Sequence, residues 1–328
     1  MLGKKLVSSY GFGKNHYRER YMKRSIIPYL FLIPFFLHLA VLSLFPLGFG
    51  IYMSFTNFNA IMPISSAKFI GLDNYIKALT HDTRFLNSIK NAFVYTLFQP
   101  ITVLLGFFFA LVLNSAVKGR SIFRTIFFLP VITSTVAISF VWGWLYNVDN
   151  GPLNYFMKLL GLPPQNWLTN PYPIINPSIP GILSIPIVLP LISIIVMSIW
   201  QWMGLNVIIF LAGLQSIPKE LHEAARISGA GAWHSFRHIT VPLLKPTLLF
   251  IAITATAGSL QVFTEVYMLT QGGPVETTYV PVLVIFNQIG RYGEFGYGAA
   301  LSYIFFLIIL SVSLVEMRIL RRGGLTYY

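Results

Sequence analysis

The sequence predicts an all-α integral membrane protein with six transmembrane helices and one long polar loop on the cytoplasmic side. Three observations carry that prediction. Of 328 residues, 55% are hydrophobic and only 10% charged, against about 25% charged in soluble domains. Six apolar stretches are long enough for a hydrocarbon core that takes roughly 20 helical residues to cross. The cationic residues also alternate between sides. Seven precede Ser25, three lie at 118–124, four at 219–245 and three at 318–322, so 17 of the 23 Lys and Arg share one side. Lys and Arg concentrate in cytoplasmic loops, which puts both termini in the cytoplasm. The same distribution accounts for the net charge of +13 with no nucleic-acid partner. The absence of cysteine excludes a disulfide framework and a thiolate metal site.

Residues 1–26 form a basic tail in which Lys4, Lys5, Lys14, Arg18, Arg20, Lys23 and Arg24 alternate with aromatic residues. It reads either as a segment lying on anionic membrane lipid or as a solvated tail that only fixes topology. No acid, Lys or Arg occurs from Ser25 to Ala67. That run gives a first span at 27–55, too long for a cleaved leader and therefore retained, with Pro28, Pro34 and Pro46 bending it or marking its ends. After a mixed external segment at 56–89, a second span is expected at 90–114 and a third at 124–147. Leu153 to Leu160 suits an interfacial helix, and the Pro-, Asn- and Ser-rich stretch from Pro163 to Pro180 should be irregular. A fourth span at 183–214 is long enough for Pro186 and Pro190 to bend it or delay its start. A fifth follows at 247–270, then a Gly272-Gly273-Pro274 turn, a short helix before Arg291, and a sixth span at 297–317.

The loop at 216–246 is the longest polar interruption. It reads as two short helices, the first presenting Leu221, Ala224, Ala225 and Ser228 on one face. Gly229 and Gly231 end that helix, and a second can run from Ala232 to about Thr240 before Pro242 and Pro246 turn the chain back. Helices of about ten residues are marginal alone, so the pair must dock on something. Glu223-Ala224-Ala225, then Gly229, Ile239, Pro242 and Pro246, resemble the EAA coupling loop of type I permease subunits in binding-protein-dependent ABC importers. Gln271-Gly272-Gly273-Pro274 and the run Phe69-Ile70-Gly71-Leu72-Asp73-Asn74-Tyr75 resemble the carbohydrate-importing branch, of the maltose and glycerol-phosphate type. The resemblance spans residues 25–320. The overall text is also similar to permeases of alginate-oligosaccharide importers, which adds polyuronides to the candidate cargoes.

The resemblance implies a permease domain at 27–322 between the basic tail and a C-terminal tail at 323–328, in a bacterial inner membrane. It implies as partners a second homologous permease, two copies of an ABC ATPase and a periplasmic or tethered binding protein. Glu223, Ala224, Ala225, Gly229, Ile239 and Pro242 would then couple to the ATPase. Glu223 reads in that light as one half of a charge-assisted pair with a partner's Arg or Lys; without it, as a solvated residue on a helix face. The Gly272–Pro274 loop would touch the binding protein or line the outer mouth. ATP and Mg would belong to the ATPase, since no Gly-x-x-x-x-Gly-Lys-Ser/Thr run exists here. No catalytic constellation is visible, so no cofactor and no enzymatic activity are assigned to this chain.

Polar or aromatic groups at membrane depth mark a candidate path: Gln201, Trp202 and Asn206 on span four, Ser259 and Gln261 on span five. They can hydrogen-bond and stack on a sugar, or simply pack helices. Resemblance to the maltose importer places substrate contacts at Gln201, Trp202, Leu205, Ser259 and Val262, though Leu205 and Val262 depart from the polar or aromatic types expected there. Glu265, near the outer end of span five, should face a cavity, a partner or interfacial water. His222-Glu223 lacks the second histidine of a zinc-protease motif, because position 226 is Arg. His234 and His238 stand four apart without a third ligand in register. An ion-coupled secondary transporter would want buried ionisable groups and internal repeats; it and a non-transporting scaffold or receptor are the alternatives.

Overall fold

The computed structural model describes residues 27–115, 119–175, 178–179, 183–184 and 187–322. The two tails, Lys118, Pro180 and Pro186 lie outside them. Among the described residues, five helices are long and apolar enough to cross a bilayer: Tyr29–Ser54, Thr83–Asn114, Leu189–Gln215, Lys245–Leu269 and Phe295–Leu320. A sixth crossing is the bent pair Ser121–Ile132 and Thr135–Leu145. The chain divides into two compact units at residues 52 and 53.

In the first unit, Ile27–Leu39 runs through a π turn at Ala40–Leu44 into Phe45–Ser54. The helix therefore passes Pro34 and Pro46 instead of ending at them. A second π turn, Phe236–Thr240, lies in the polar loop at 216–246. Each ends two residues before a proline, Pro46 in one case and Pro242 in the other. Proline removes one donor and its ring presses on the carbonyl four residues back. A widened turn just upstream takes up that pressure without breaking the helix.

In the second unit the fourth span is the central rod, packed against Gln99–Asn114 of the second span and Arg120–Ile132 of the third. Glycine permits both approaches. A Cβ at Gly106 would stand 2.5 Å from Asn206 Cβ, and one at Gly204 would stand 1.8 Å from the Phe127 carbonyl oxygen. Such small-residue contacts bring backbones together where no hydrophobic force separates helix from lipid. Val207, Phe210, Leu211 and Leu214 close the core on one side with Ala110, Leu113, Leu244 and Ile251.

Several expected boundaries change. The second span begins at Thr83, well before residue 90, because Asp82 caps it by accepting from the Phe85 amide at 2.8 Å. Arg84 and Lys90 lie on helix that extends past the apolar run. The third span is no straight rod over 124–147 but bends by 99°. Pro130 withholds a donor, the Thr133 hydroxyl donates to the Leu129 carbonyl at 2.7 Å, and Ser134 leaves helical conformation. The fourth span starts late, at Leu189, with Pro190 in its first turn. The segment before it is not wholly irregular: Pro173–Ile175 pairs antiparallel with Ile187–Val188, and Ser178–Ile179 with Leu183–Ser184. The interfacial helix forms at Pro152–Leu159 and the short helix at Pro281–Gly290.

The segment after the first span forms a built platform. Asn74 donates to the carbonyls of Ser54 and Thr56, both at 2.9 Å, and the Tyr75 hydroxyl meets Ser54 Oγ at 2.6 Å. Gly71, at φ +62°, turns the chain into that helix. The motif from Phe69 to Tyr75 is thus a clamp on the end of the first span's helix. Asn74→Ala removes a donor that the buried carbonyls of Ser54 and Thr56 share. It is expected to cost about 2 kcal/mol, read as a lower Tm of the solubilised protein.

Candidate functional site

The fifth span does not run unbroken over 247–270. Lys245–Leu260 stops, Gln261 to Phe263 are not helical, and the helix resumes at Thr264–Leu269. Interrupted helices at membrane depth are tolerated where they line a cavity, and here one opens at the break. It has a volume of about 340 Å3 and is lined by the middle of the fourth span, both sides of the break, and groups from the second and third spans. Trp202, Leu205 and Asn206 come from the fourth span, at i, i+3 and i+4, one face of a helix. Ser259, Gln261, Val262 and Glu265 come from the fifth.

Seven of the eight path residues expected from sequence therefore line one hollow. Gln201 does not. It is 1% exposed and donates to Thr135 Oγ1 at 3.0 Å, so it joins the fourth span to the third. The reason is geometric: at about 100° per residue, Gln201 falls outside the arc of the helix that Trp202, Leu205 and Asn206 share. Leu205 and Val262, the two that depart from polar types, do line it.

Glu265 is 7% exposed, and its Oε1 accepts a long 3.5 Å contact from the Trp202 indole N–H. Among the described residues its carboxylate has no cationic partner, since the ion pair found there is Arg84 with Glu276. Ser259 Oγ lies 2.9 Å from Thr96 Oγ1, and Gln261 donates to the Ala257 carbonyl at 3.0 Å. Tyr95, Gln99, Thr135 and Thr254 also line the hollow and were not anticipated. Each is an ordinary polar residue in its own helix, and only the packing brings it here. The hydroxyl of Tyr95 is committed to Ser198.

On the 216–246 loop, Lys219–Ile227 forms the first helix. The Gly229 amide donates to Arg226 O at 3.0 Å and the Ala230 amide to Ala225 O at 2.9 Å, a Schellman closure with Gly229, at φ +80°, in the left-handed position. A Cβ at Gly229 would meet no atom within 4 Å, so the requirement is conformational, not steric. Gly231 has φ −69° and needs no glycine, contrary to its expected role. The second helix does not stop at Thr240 but continues through the π turn to Val241–Leu243.

None of the first helix is buried. Glu223 and Ala224 are exposed and Ala225 is half-buried, while Ile239 packs against the core cluster of Leu214 and Leu244. Ile239 therefore anchors the loop within this chain, and Pro242, exposed, follows the π turn. Two apolar groups that the residue pattern did not flag stand out: Ile227 at 88% exposure and Trp233 at 70%. Contact of His222 Nδ1 with Ser235 Oγ at 2.9 Å joins the two helices. The rings of His234 and His238 stack 4.0 Å apart, with His238 Nδ1 within 3.0 Å of the His234 carbonyl. Among the described residues no three His, Asp or Glu gather as a metal site.

The Gly272–Pro274 turn is held from outside. Asn91 donates to the carbonyls of Thr277 and Tyr279 at 3.0 and 2.9 Å, and the Thr278 hydroxyl donates to Gly273 O at 2.6 Å. Gly272, at φ +89°, leaves room for the Tyr279 ring, 2.5 Å from where a Cβ would be.

Multiple apolar crossings, a polar hollow at a broken helix and a docking-sized loop of exposed short helices define a multi-pass membrane permease. The chain belongs to the family of binding-protein-dependent transport system inner membrane components, matched over residues 102–322. A probable ABC transporter permease of Pyrococcus horikoshii is 36% identical over 299 residues, covering 89% of this chain and 96% of that protein. The arabinooligosaccharide transport permease of Bacillus subtilis is 34% identical, covering 92% and 91%. The trehalose/maltose permease of Thermococcus litoralis is 30% identical, covering 89% and 92%. In fold, the chain is similar to a crystal structure of a bacterial ABC transporter that imports the acidic polysaccharide alginate. The TM-score is 0.77 at 22% identity, over 92% of this chain and 96% of that one.

Proposed function

We propose that this chain is one of two membrane-spanning subunits of an ATP-driven importer that carries a sugar or oligosaccharide inward from a binding protein. The observation that carries the reading is the hollow at the break of the fifth span, built from residues able to bind hydroxyls and stack a ring, in a chain of this family. The relatives named for arabinooligosaccharides and for trehalose and maltose support a saccharide as cargo. A second permease would face this cavity, and two ATPase subunits would hold ATP and Mg. Each ATPase would receive a loop such as 216–246, with Glu223 and Ala224 outward and Ile227 and Trp233 filling its groove.

In this mechanism ATP closes the ATPase pair. The loop, anchored through Ile239, Phe236 and Phe107, carries the motion to spans four and five, and the cavity opens to the binding protein. Hydrolysis resets it. Such coupling needs a two-state element that ligand and nucleotide both bias. The membrane is then the bacterial inner membrane, with both termini cytoplasmic. A chain of this family has no call on the ion-coupled or scaffold readings.

Purification from native membranes is expected to bring down an ATP-binding subunit and a second permease. Proteoliposomes of that complex should take up saccharide only with ATP and binding protein together. Recovery of the chain alone, or uptake driven by an ion gradient without ATP, refutes the reading.

A further inference from the structure

We propose that Glu265 makes this chain's side of the cavity selective for uncharged saccharides and exclusive of uronic acids, so that oligosaccharides with a carboxylate on each ring are not its cargo. The inference rests on the sugar-path reading above and deepens it by naming the class of sugar.

Among the described residues the lining contains no Lys, Arg or His, and Glu265 is its one Asp or Glu. The fourth span, Leu189–Gln215, has no basic residue at all, and the fifth has only Lys245, at the end opposite Glu265. What remains is neutral: the amides of Gln99, Asn206 and Gln261, the hydroxyl of Thr254, and the indole of Trp202. These are the groups that serve a sugar's hydroxyls, which need one donor or acceptor each and no counter-charge. Glu265 adds an acceptor for those hydroxyls beside an aromatic ring that can cover an apolar sugar face.

A uronate meets the opposite conditions. Taking a carboxylate out of water is costly without a counter-charge; no cation lines this side among the described residues, and its neutral donors bring none. If Glu265 is ionised, it adds like-charge repulsion in a setting of low dielectric constant. Likeness in fold to the alginate transporter does not oppose this, because folds host cargoes of different chemistry.

The test uses the complete importer in proteoliposomes with saturating binding protein. The probes are maltotriose, arabinotriose, trigalacturonate and its fully methyl-esterified form, which keeps the rings and removes the charge. Uptake of at least one neutral probe is expected, with trigalacturonate slower than its ester by about 100-fold or more. Glu265→Gln, nearly isosteric, should narrow that ratio, and Glu265→Arg should narrow it further or reverse it. Equal wild-type uptake of acid and ester overturns the proposal. So does a wild-type preference that both variants leave unchanged, since selection then lies elsewhere. ATP-driven uptake of none of the four, including through the variants, counts instead against the sugar-path reading on which the proposal stands.

Discussion

Gly229→Val is expected to abolish sugar uptake by the assembled importer while the permease still inserts and spans the membrane. Gly229 holds φ +80° and closes the first loop helix through two backbone bonds. A left-handed backbone costs an ordinary L-residue about 1–2 kcal/mol, and a β-branched one is a stronger misfit. The helix would unwind from its C-terminal end, and the exposed row from Glu223 to Ile227 would lose its register against the ATPase. Gly229→Ala meets no obstruction and carries only the backbone penalty, so it should retain part of the activity. Glu223→Lys reverses an exposed charge without touching the fold and should uncouple in the same way. The measurement is ATP hydrolysis stimulated by loaded binding protein: a fall of tenfold or more is expected for Gly229→Val and Glu223→Lys. Full stimulation in Glu223→Lys would show that the loop is not the transmitting element.

Gly204→Leu should do something different: prevent accumulation of folded protein. Any side chain at 204 drives into the Phe127 carbonyl, 1.8 Å from the position of Cβ, where the third and fourth spans cross. The strain cannot be relieved by a rotamer change, because the obstructing atom is backbone. Overpacking of this kind costs about 1–3 kcal/mol or more, and a leucine here separates two helices. Gly258→Leu, on the fifth span with open space around it, is the control that should still accumulate, although it narrows the cavity. Membrane-fraction yield and resistance to limited proteolysis separate the two. Normal yield of Gly204→Leu would mean that the crossing is looser than described.

The crossings themselves were legible because burial in lipid needs only apolar length, and no residue pattern competes with that signal. Gly229 was legible because positive φ writes itself into sequence as glycine. The two interruptions that matter most were not. At Gln261-Val262-Phe263 neither proline nor glycine occupies the break, so nothing punctuates it; the nearest, Gly258, sits inside the helix. At Thr133-Ser134 the bend follows Pro130, a signal the sequence did carry, but its position and size are set by two hydroxyl residues that look like any others in a membrane helix. Gln201 was misplaced for a related reason. The fourth span is apolar nearly all round, and its periodicity could not tell the face toward the cavity from the face toward Thr135. The second span started earlier than expected because charges mark where lipid ends, and a helix does not have to end there.

Ile227 and Trp233, facing water when the chain stands by itself, have a consequence for the cell. In the proposed importer, a copy made in excess of its companions would display greasy side chains to the cytosol, the signature that chaperones hold and proteases clear. Abundance of the permease should then follow the supply of ATPase without any dedicated regulator, the unclaimed copies being removed and the claimed ones shielded.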